Sequence, residues 1–427
     1  MMKILLKGGR IVDPSQNIDS TMDILIEGDT ISRIENTIDP VAGAQVFDLK
    51  DKVVSPGLID MHTHLREPGF EYKETIRTGS EAAVAGGFTA IACMANTEPV
   101  NDNRSITEFI LKQARLADMA HVYPVAAVSK GLKGKTLAEF GELKDAGAVA
   151  LSDDGNPVED SGLMKNALEY AYSLGMPVIS HCEDKGLASG GVMNEGLVST
   201  LLGLQGIPNI AEDIMTSRDI AIAGYTGTSV HISHVSTAGS VRAVREAKKM
   251  GIKVTAETAP HYFALTDDAL KGYSTDFKMY PPLRSREDTE AIMAGLQDGT
   301  IDAIASDHAP HSTIEKDVEF DYAANGIIGL ETSLSVSMKL VDEGILSLGQ
   351  LIEKMSTNPA AILKIPKDTL QKGATANITV IDTHKVWTVD SERFRSKSRN
   401  TPFQGWQLKG KAVLTIVSGK VKYSEMG

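Results

Sequence analysis

Eight short apolar segments recur along the middle of the chain, and this repetition constrains the fold more than any other feature. Each has the length of a β-strand, and the stretches between them contain enough Ala, Leu, Glu and Lys to form helices. Eight strand and helix units in succession predict a closed parallel barrel. The segments are VVSPGLIDMHTH, FTAIACMANT, HVYPVAAVS, GAVALSDDG, MPVISHCED, TSVHISHVS, IKVTAETAPH and IDAIASDHAP.

The two ends of the chain have a different pattern, of short strands joined by turns. We expect a Gly-Gly turn in KILLKGGRIV, a Gly-Asp turn in DILIEGDTISRI and a charged turn in VFDLKDKVV. Near the end, ANITVIDTHKVWTV and KAVLTIVSGKVKYS are apolar runs broken by polar or Gly turns. The sequence therefore predicts an α/β protein in which residues 56–365 form a (β/α)8 TIM barrel. Residues 1–55 and 366–427 are expected to form one small β-sandwich domain beside it.

Composition and charge indicate a soluble, cytoplasmic protein. No apolar stretch approaches the roughly 18 residues of a membrane span, and the first residues lack the apolar core of a secretory signal. Cys93 and Cys182 are the only cysteines, which fits a reducing compartment. The chain has 43 basic and 56 acidic residues, a net charge of −13, without a basic stripe. This balance argues against nucleic acid and against an anionic membrane as partner.

Nearly every apolar segment ends in His, Asp, Asn or Ser. Functional side chains of a parallel barrel lie at the carboxyl ends of its strands. His62 and His64 end the first strand, and strand alternation sends both imidazoles to one side. Strands five, six and eight end in His181, His234 and Asp307. A histidine at one strand end is often only a hydrogen-bonded residue, but five such residues converging on one face indicate a metal site.

The fourth strand ends in SDDG, where either Asp153 or Asp154 can reach the same metals. Alternation does not choose between them at a strand end, and either can instead form an Asx turn before Gly155. We expect one of them to bridge two cations. Mixed imidazole and carboxylate ligands suit zinc best, although manganese, cobalt and iron accept similar ligands. His231 lies inside its strand, and we assign it to packing or to support of the ligands.

Several sequence blocks, taken in order, resemble the type I bacterial dihydroorotases of the amidohydrolase superfamily. The blocks are GLIDMHTHLREPGFEYKETI, CMANTEPV, LSDDG, ISHCED, ISHVST, ASDHAPH and GLETS, and the resemblance runs from about residue 3 to the end. It implies reversible interconversion of L-dihydroorotate and N-carbamoyl-L-aspartate in pyrimidine (UMP) biosynthesis, with a hydroxide between two Zn2+ ions as nucleophile.

The same resemblance assigns roles to individual residues. His62, His64 and Asp307 would bind one metal and His181 and His234 the second, with Asp154 as the bridge and Asp307 as the proton carrier. The residues that match the family's substrate site are His64, Arg66, Asn96, Tyr280, His311, Asn325 and Gly326. Among them Arg66, Asn96 and His311 resemble the groups that hold the substrate carboxylate, and the backbone at Asn325 and Gly326 resembles the part that meets the pyrimidine ring.

The chain departs from the family pattern at two positions. Tyr280 stands where most dihydroorotases have the asparagine that contacts the ring, and a hydroxyl cannot supply the paired donor and acceptor of an amide. Ala95 replaces a usual proline, which we expect to change loop rigidity more than chemistry. The first departure leaves another cyclic amidohydrolase, a hydantoinase or an allantoinase, as an alternative. Those relatives bridge their metals with a carboxylated lysine, whereas LSDDG offers aspartate.

The resemblance also bears on partners. A silent barrel that only supports aspartate transcarbamoylase is a further alternative, although every expected metal ligand is present here. For an active enzyme we expect a homodimer, and association with aspartate transcarbamoylase is compatible with activity. The segment 311–326 lacks clear periodicity, so it is either a mobile flap over the substrate or a plain charged loop.

Overall fold

The chain begins with five strands of a mainly antiparallel sheet. The computed structural model describes residues 2–366 and 368–426; Met1, Lys367 and Gly427, which belong to the predicted terminal domain, lie outside this description. The predicted Gly-Asp turn joins the second strand to the third, and the charged turn joins the fourth to the fifth. The strands are β1 (Lys3–Asp13), β2 (Ile18–Glu27), β3 (Thr30–Glu35), β4 (Ala44–Asp48) and β5 (Val53–Pro56).

The predicted Gly-Gly turn in KILLKGGRIV is wrong, because β1 continues through it. The register of β1 against β2 shifts between Leu6 and Gly9, which is a β-bulge. Gly8 has a φ of 69°, and a Cβ on Gly9 would lie 2.6 Å from Cγ2 of Val54. The two glycines therefore bend one strand and let β5 pack closely against it.

The middle of the chain forms the barrel, and the predicted (β/α)8 fold is confirmed. The order β6-β7-β8-β9 continues through a bridge between Leu151 and Val178 into β10-β13-β14-β15. A parallel bridge between Thr63 and His308 closes the ring. β11 and β12 pair separately outside it. The strands are β6 (Leu58–Thr63), β7 (Phe88–Cys93), β8 (His121–Ala126), β9 (Ala150–Leu151), β10 (Ile179–Ser180), β11 (Met193–Asn194), β12 (Gly206–Ile207), β13 (Ser229–Ile232), β14 (Lys253–Thr258) and β15 (Ala303–Ile304).

Helices separate the barrel strands, and side-chain caps mark where several of them begin. Asn103, Asp160 and Thr237 each accept a hydrogen bond from a backbone amide in the first turn that follows. None of the described helices has both the length and the apolar character that a membrane crossing requires. The helices are α1 (Ile76–Ala85), α2 (Arg104–Ala117), α3 (Phe140–Ala146), α4 (Ser161–Ser173), α5 (Lys185–Ala188), α6 (Leu197–Leu202), α7 (Ile210–Thr226), α8 (Ala238–Lys249), α9 (Pro260–Ala264), α10 (Arg286–Gln297), α11 (Thr313–Lys316), α12 (Ser333–Asp342), α13 (Leu348–Ile352) and α14 (Asn358–Leu363).

Three final strands return to the first sheet, and together they form the sandwich expected from the two chain ends. They are β16 (Ile378–Thr388), β17 (Gln407–Val417) and β18 (Lys420–Ser424), and the sheet order is β18-β17-β16-β5-β1-β2-β3 with β4 on β1. Both ends share one apolar core, in which Ile4 and Ile26 pack with Val380 and Ile416. The polar DTHK stretch is a bulge inside β16, not a turn.

The first apolar segment is divided between the two sheets. VVSP is β5 and pairs with β16, whereas the residues from Leu58 onward are the first barrel strand. A Cβ at the intervening Gly57 would lie 2.0 Å from Oγ1 of Thr89, so only glycine lets the chain pass from one sheet to the other at this point. The strand that carries His62 and His64 is therefore anchored directly to the terminal sheet.

Candidate metal centre

The structure brings the six predicted metal ligands together at the carboxyl ends of the barrel strands, which we call the rim. All six side chains are buried. Two groups of three have ligand atoms within 4.8 Å of one another. We call His62, His64 and Asp154 the first cluster, and Asp154, His181 and His234 the second.

Asp154 belongs to both clusters and lies between them. Its Oδ1 is 3.3 Å from Nε2 of both His62 and His234, and its Oδ2 is 3.5 Å from Nε2 of His64. Asp153 points elsewhere, since its carboxylate accepts hydrogen bonds from the backbone amides of Val128 and Ser129. Of the two aspartates that the sequence left open, only Asp154 is in position to bridge two cations.

Asp307 lies beside the first cluster. Its Oδ1 is 3.2 Å from Nε2 of His64 and 3.7 Å from Nε2 of His62. Asp307 follows the last barrel strand, β15, whereas both histidines lie at the end of the first, β6. The pairing of the first barrel strand with the last therefore brings Asp307 and the two histidines into contact.

The second cluster contains two imidazole nitrogens in close contact. Nδ1 of His181 lies 2.8 Å from Nε2 of His234. Two nitrogen lone pairs repel at this distance unless a proton or a cation lies between them. Nε2 of His62 is also buried without a hydrogen-bond partner among the described residues. Imidazole and carboxylate donors gathered in this way fit a pair of divalent cations.

The charges of the clusters depend on one another. Burial alone would raise the pKa of Asp154, but the adjacent His62 and hydrogen bonds from the histidines hold it well below its ordinary value. Burial alone would lower the pKa of His181, but Asp154 and Glu183 raise it to about 9. The site therefore keeps Asp154 ionised and attracts positive charge.

Three rim residues have a backbone conformation that L-amino acids rarely adopt. The φ angles are 62° at Arg66, 34° at His234 and 48° at Asp307. Such a conformation costs on the order of 1–3 kcal/mol and persists only where the surrounding structure imposes it. Two of the three are candidate ligands, so strain coincides with the place where their side chains turn toward the clusters.

Residues outside the clusters orient the histidines of the first cluster. Oε1 of Glu257 lies 2.6 Å from Nδ1 of His62, and Oδ1 of Asn96 lies 2.9 Å from Nδ1 of His64. His231 faces the same glutamate, with its Nε2 3.5 Å from Oε2. Glu257 is not among the residues predicted from the sequence. Its signal was a carboxylate near the carboxyl end of β14, the end at which the other barrel strands present their ligands.

A second glutamate that the sequence analysis missed lies beside the second cluster. Oε2 of the buried Glu183 is 3.7 Å from Nε2 of His181. The hydroxyl of Tyr280 donates a short hydrogen bond to the same carboxylate. The Tyr280 ring stacks on the His181 ring, with 5.7 Å between centroids. Tyr280, the residue that departs from the family pattern, therefore pairs with Glu183 and covers one side of the second cluster.

Most of the predicted carboxylate-binding residues form one group near the first cluster. The half-buried Arg66 donates from Nε to the carbonyl of Pro310, and its Nη2 lies 3.2 Å from Nε2 of His311. That His311 nitrogen is also 2.8 Å from the carbonyl oxygen of Asn325. Burial lowers the pKa of Arg66 to about 10, against the opposing effect of Asp307. The guanidinium therefore keeps its charge at neutral pH.

Two buried lysines attach the segment 311–326 to the rest of the rim. Nζ of Lys316 donates to the carbonyls of Lys278, Ala324 and Gly326. Nζ of Lys278 donates in turn to the carbonyls of residues 320 and 321. The backbone at Gly326, a predicted substrate contact, is positioned by these bonds.

Comparisons with known proteins agree with this geometry. A family profile described as Dihydro-orotase-like matches residues 51–240. A dihydroorotase from Syntrophus aciditrophicus is 60% identical over 425 residues, covering 99% of this chain and 100% of the relative. One from Geobacter metallireducens is 55% identical over 422 residues, with the same coverage of both chains.

Solved structures of cyclic amidohydrolases share the fold. The L-hydantoinase (dihydropyrimidinase) from Arthrobacter aurescens has a TM-score of 0.89 at 26% identity, covering 100% of this chain and 97% of that one. The dihydropyrimidinase from Brevibacillus agri has a TM-score of 0.84 at 23% identity, covering 100% and 96%, which shows the fold alone.

Loss of a ligand from the second cluster should lower the metal content of the protein. Replacing one of its histidines, His234→Asn, should lower the bound divalent metal from about two ions per chain to about one, because the first cluster keeps its ligands. Mass spectrometry of metals in the purified protein measures this. The exposed His384→Asn is the matched control. An unchanged metal content in His234→Asn would show that His234 is not required to hold the second ion.

Proposed function

The chain belongs to the dihydroorotase family, and we propose that its rim residues catalyse the reversible hydrolysis of L-dihydroorotate to N-carbamoyl-L-aspartate. The observation that carries the proposal is the position of an aspartate, Asp154, between two buried histidine clusters. The related hydantoinases and allantoinases instead bridge their two metals with a carboxylated lysine. The full-length identity of 60% to a dihydroorotase supports the same choice.

Two bound divalent cations would lower the pKa of a water from about 15.7 to roughly 7 and polarise the attacked carbonyl. Asp307 is the residue that moves the proton. Its carboxylate accepts a proton from the attacking water and delivers it to the ring nitrogen as the carbon–nitrogen bond breaks. In the direction of ring closure the same carboxylate removes the proton from that nitrogen. Its position beside His62 and His64 supports this role.

Arg66 is proposed to hold the substrate carboxylate. A guanidinium binds a carboxylate through two parallel hydrogen bonds, which fixes the orientation of the ring as well as its position. The buried contacts of Arg66 with Pro310 and His311 keep the guanidinium in place. Asn96 and His311 would complete the carboxylate site, and the backbone at Asn325 and Gly326 would contact the ring.

Tyr280 is proposed to have a different role from the ring-contacting asparagine that most dihydroorotases have at this position. Because its hydroxyl donates to Glu183, it is not free to act as an amide-like contact for the substrate. We propose that its ring excludes water from the side of the second cluster, while the substrate's polar atoms are bound on the opposite side by Arg66.

Several finer features are proposed on the family resemblance. The metal is Zn2+, the active form is a homodimer in the cytoplasm, and association with aspartate transcarbamoylase is compatible with it. The barrel domain is taken as residues 56–365, and the terminal domain as 1–55 and 366–427. The two buried clusters support a catalytic protein over a silent scaffold.

Asp307→Asn tests the proposed proton carrier. The variant should fold and keep its metals, because an amide has nearly the same shape and one remaining acceptor oxygen. Turnover should fall about 10²–10⁴-fold in both directions, because the amide cannot accept the proton. Steady-state rates of ring opening and ring closure measure the effect, and the exposed Asp317→Asn serves as the control. Near-normal turnover in Asp307→Asn would remove Asp307 from the mechanism.

A comparison of substrates tests the choice among cyclic amidohydrolases. L-dihydroorotate should be preferred over hydantoin and allantoin by at least about 100-fold in kcat/KM, because neither alternative has the carboxylate that pairs with Arg66. Assays of the three compounds side by side measure the ratio. A preference for hydantoin or allantoin would assign the chain a different reaction.

A further inference from the structure

A buried carboxylate outside the clusters contacts the first of them directly. Glu257 lies on β14 and His62 on β6, and their side chains are almost completely buried, at 1% and 0% exposure. Oε1 of Glu257 is 2.6 Å from Nδ1 of His62. We infer that Glu257 is a positioning residue that fixes the orientation and tautomer of His62 for metal binding. This inference rests on the metal centre of the proposed function.

The hydrogen bond determines which nitrogen of His62 carries the proton. An ionised carboxylate is only an acceptor, so the proton of a neutral His62 must lie on Nδ1. Nε2 then presents its lone pair to the first cluster, where Asp154 lies 3.3 Å away. A histidine that donates its other nitrogen to a carboxylate is also a stronger metal ligand, because the carboxylate increases the basicity of the ring.

His231 faces the same carboxylate from the other side, without a hydrogen bond to it. Nδ1 of His231 is 2.8 Å from Oγ1 of Thr255, and its Nε2 is 3.5 Å from Oε2 of Glu257. If the threonine hydroxyl donates to Nδ1, the proton of His231 lies on Nε2 and points at the glutamate. The ion pairs of Glu257 among the described residues are with these two histidines, not with a lysine or an arginine. The closer of the two contacts of its carboxylate is with His62, at 2.6 Å against 3.5 Å for His231.

The other histidine of the first cluster has a neutral partner. Nδ1 of His64 lies 2.9 Å from the amide oxygen of Asn96. An amide fixes the same tautomer but adds no charge. Glu257 thus places a negative charge behind His62 that His64 lacks, and loss of this charge is expected to weaken the metal bound at the first cluster more than the metal bound at the second.

Glu257→Gln removes the charge at nearly constant shape. In this variant we expect one of the two metal ions to bind about 10–100-fold more weakly, with the other unchanged. Competition between the apo protein and a chromophoric chelator for Zn2+ measures both affinities. The absorption spectrum of the Co2+-loaded protein reports the geometry of the altered site. Glu257→Asp keeps the charge but shortens the side chain, and it should bind the weakened ion with intermediate affinity.

Asp368→Asn is the matched control. Asp368 is also a buried carboxylate, but it accepts hydrogen bonds from Thr89 and Asn377, away from the clusters. This variant should bind both ions as the wild type does. A Glu257→Gln protein that binds both ions with wild-type affinity would overturn the inference. A wild-type protein that binds no divalent metal would instead overturn the proposed metal centre.

The wild-type protein allows a test that does not depend on a variant that folds. Nitrogen-15 NMR of the histidine side chains in the Zn2+-loaded chain distinguishes protonated from metal-bound ring nitrogens. His62 should carry its proton on Nδ1 and the metal on Nε2. Metal on Nδ1, or a proton on Nε2, would overturn the inference directly.

Discussion

Closure of the barrel between its first and last strands is the constraint on which the metal centre depends. A parallel bridge joins Thr63 to His308, and the amide of His64 donates to the carbonyl of His308 at 2.8 Å. These contacts bring His62 of β6 and His64, which directly follows β6, beside Asp307, although His64 and Asp307 are 243 residues apart. Parallel strands place all their carboxyl ends on one face, so one topological event gathers ligands from five different strands. The terminal sheet contributes to this arrangement, because β5 anchors the beginning of β6.

The concentration of negative charge inside the rim explains why the site is suited to divalent cations. Removing an ionised carboxylate from water costs several kcal/mol unless it is paired and hydrogen-bonded. Asp154, Asp307 and Glu257 are all buried, and each carboxylate lies within 4 Å of an imidazole nitrogen. Burial raises the pKa of the nearby Asp60 to about 7, which shows how strongly this interior opposes negative charge. Two divalent cations would neutralise the carboxylates and separate the closely spaced imidazole nitrogens of His181 and His234. The fold therefore buries more negative charge than the imidazoles alone stabilise, and the proposed cations would compensate it.

The features that depend on strand order and strand ends can be predicted from the sequence. Contacts between side chains that are far apart in the chain cannot. The eight strands and their polar ends follow from periodicity and from the geometry of a parallel barrel. The Gly-Gly turn was wrong because a bulge and a turn use the same residue type, and only the pairing of β1 with its neighbours distinguishes them. Alternation could not choose between Asp153 and Asp154, since β9 has just two residues. A carboxylate near the end of β14 is visible in the sequence, but the contacts of Glu257 with His62 and of Glu183 with Tyr280 span 195 and 97 residues, so local sequence does not predict the partners.

Titration of the metal-free protein with zinc tests the central claim most directly. The measurement follows the conversion of L-dihydroorotate to N-carbamoyl-L-aspartate as Zn2+ is added in known molar ratio to the chain. Two clusters that share Asp154 predict no turnover without metal and maximal turnover at about two ions per chain. Full turnover in the metal-free protein would contradict the account, because the rim residues would then catalyse the reaction without the cations that their geometry serves.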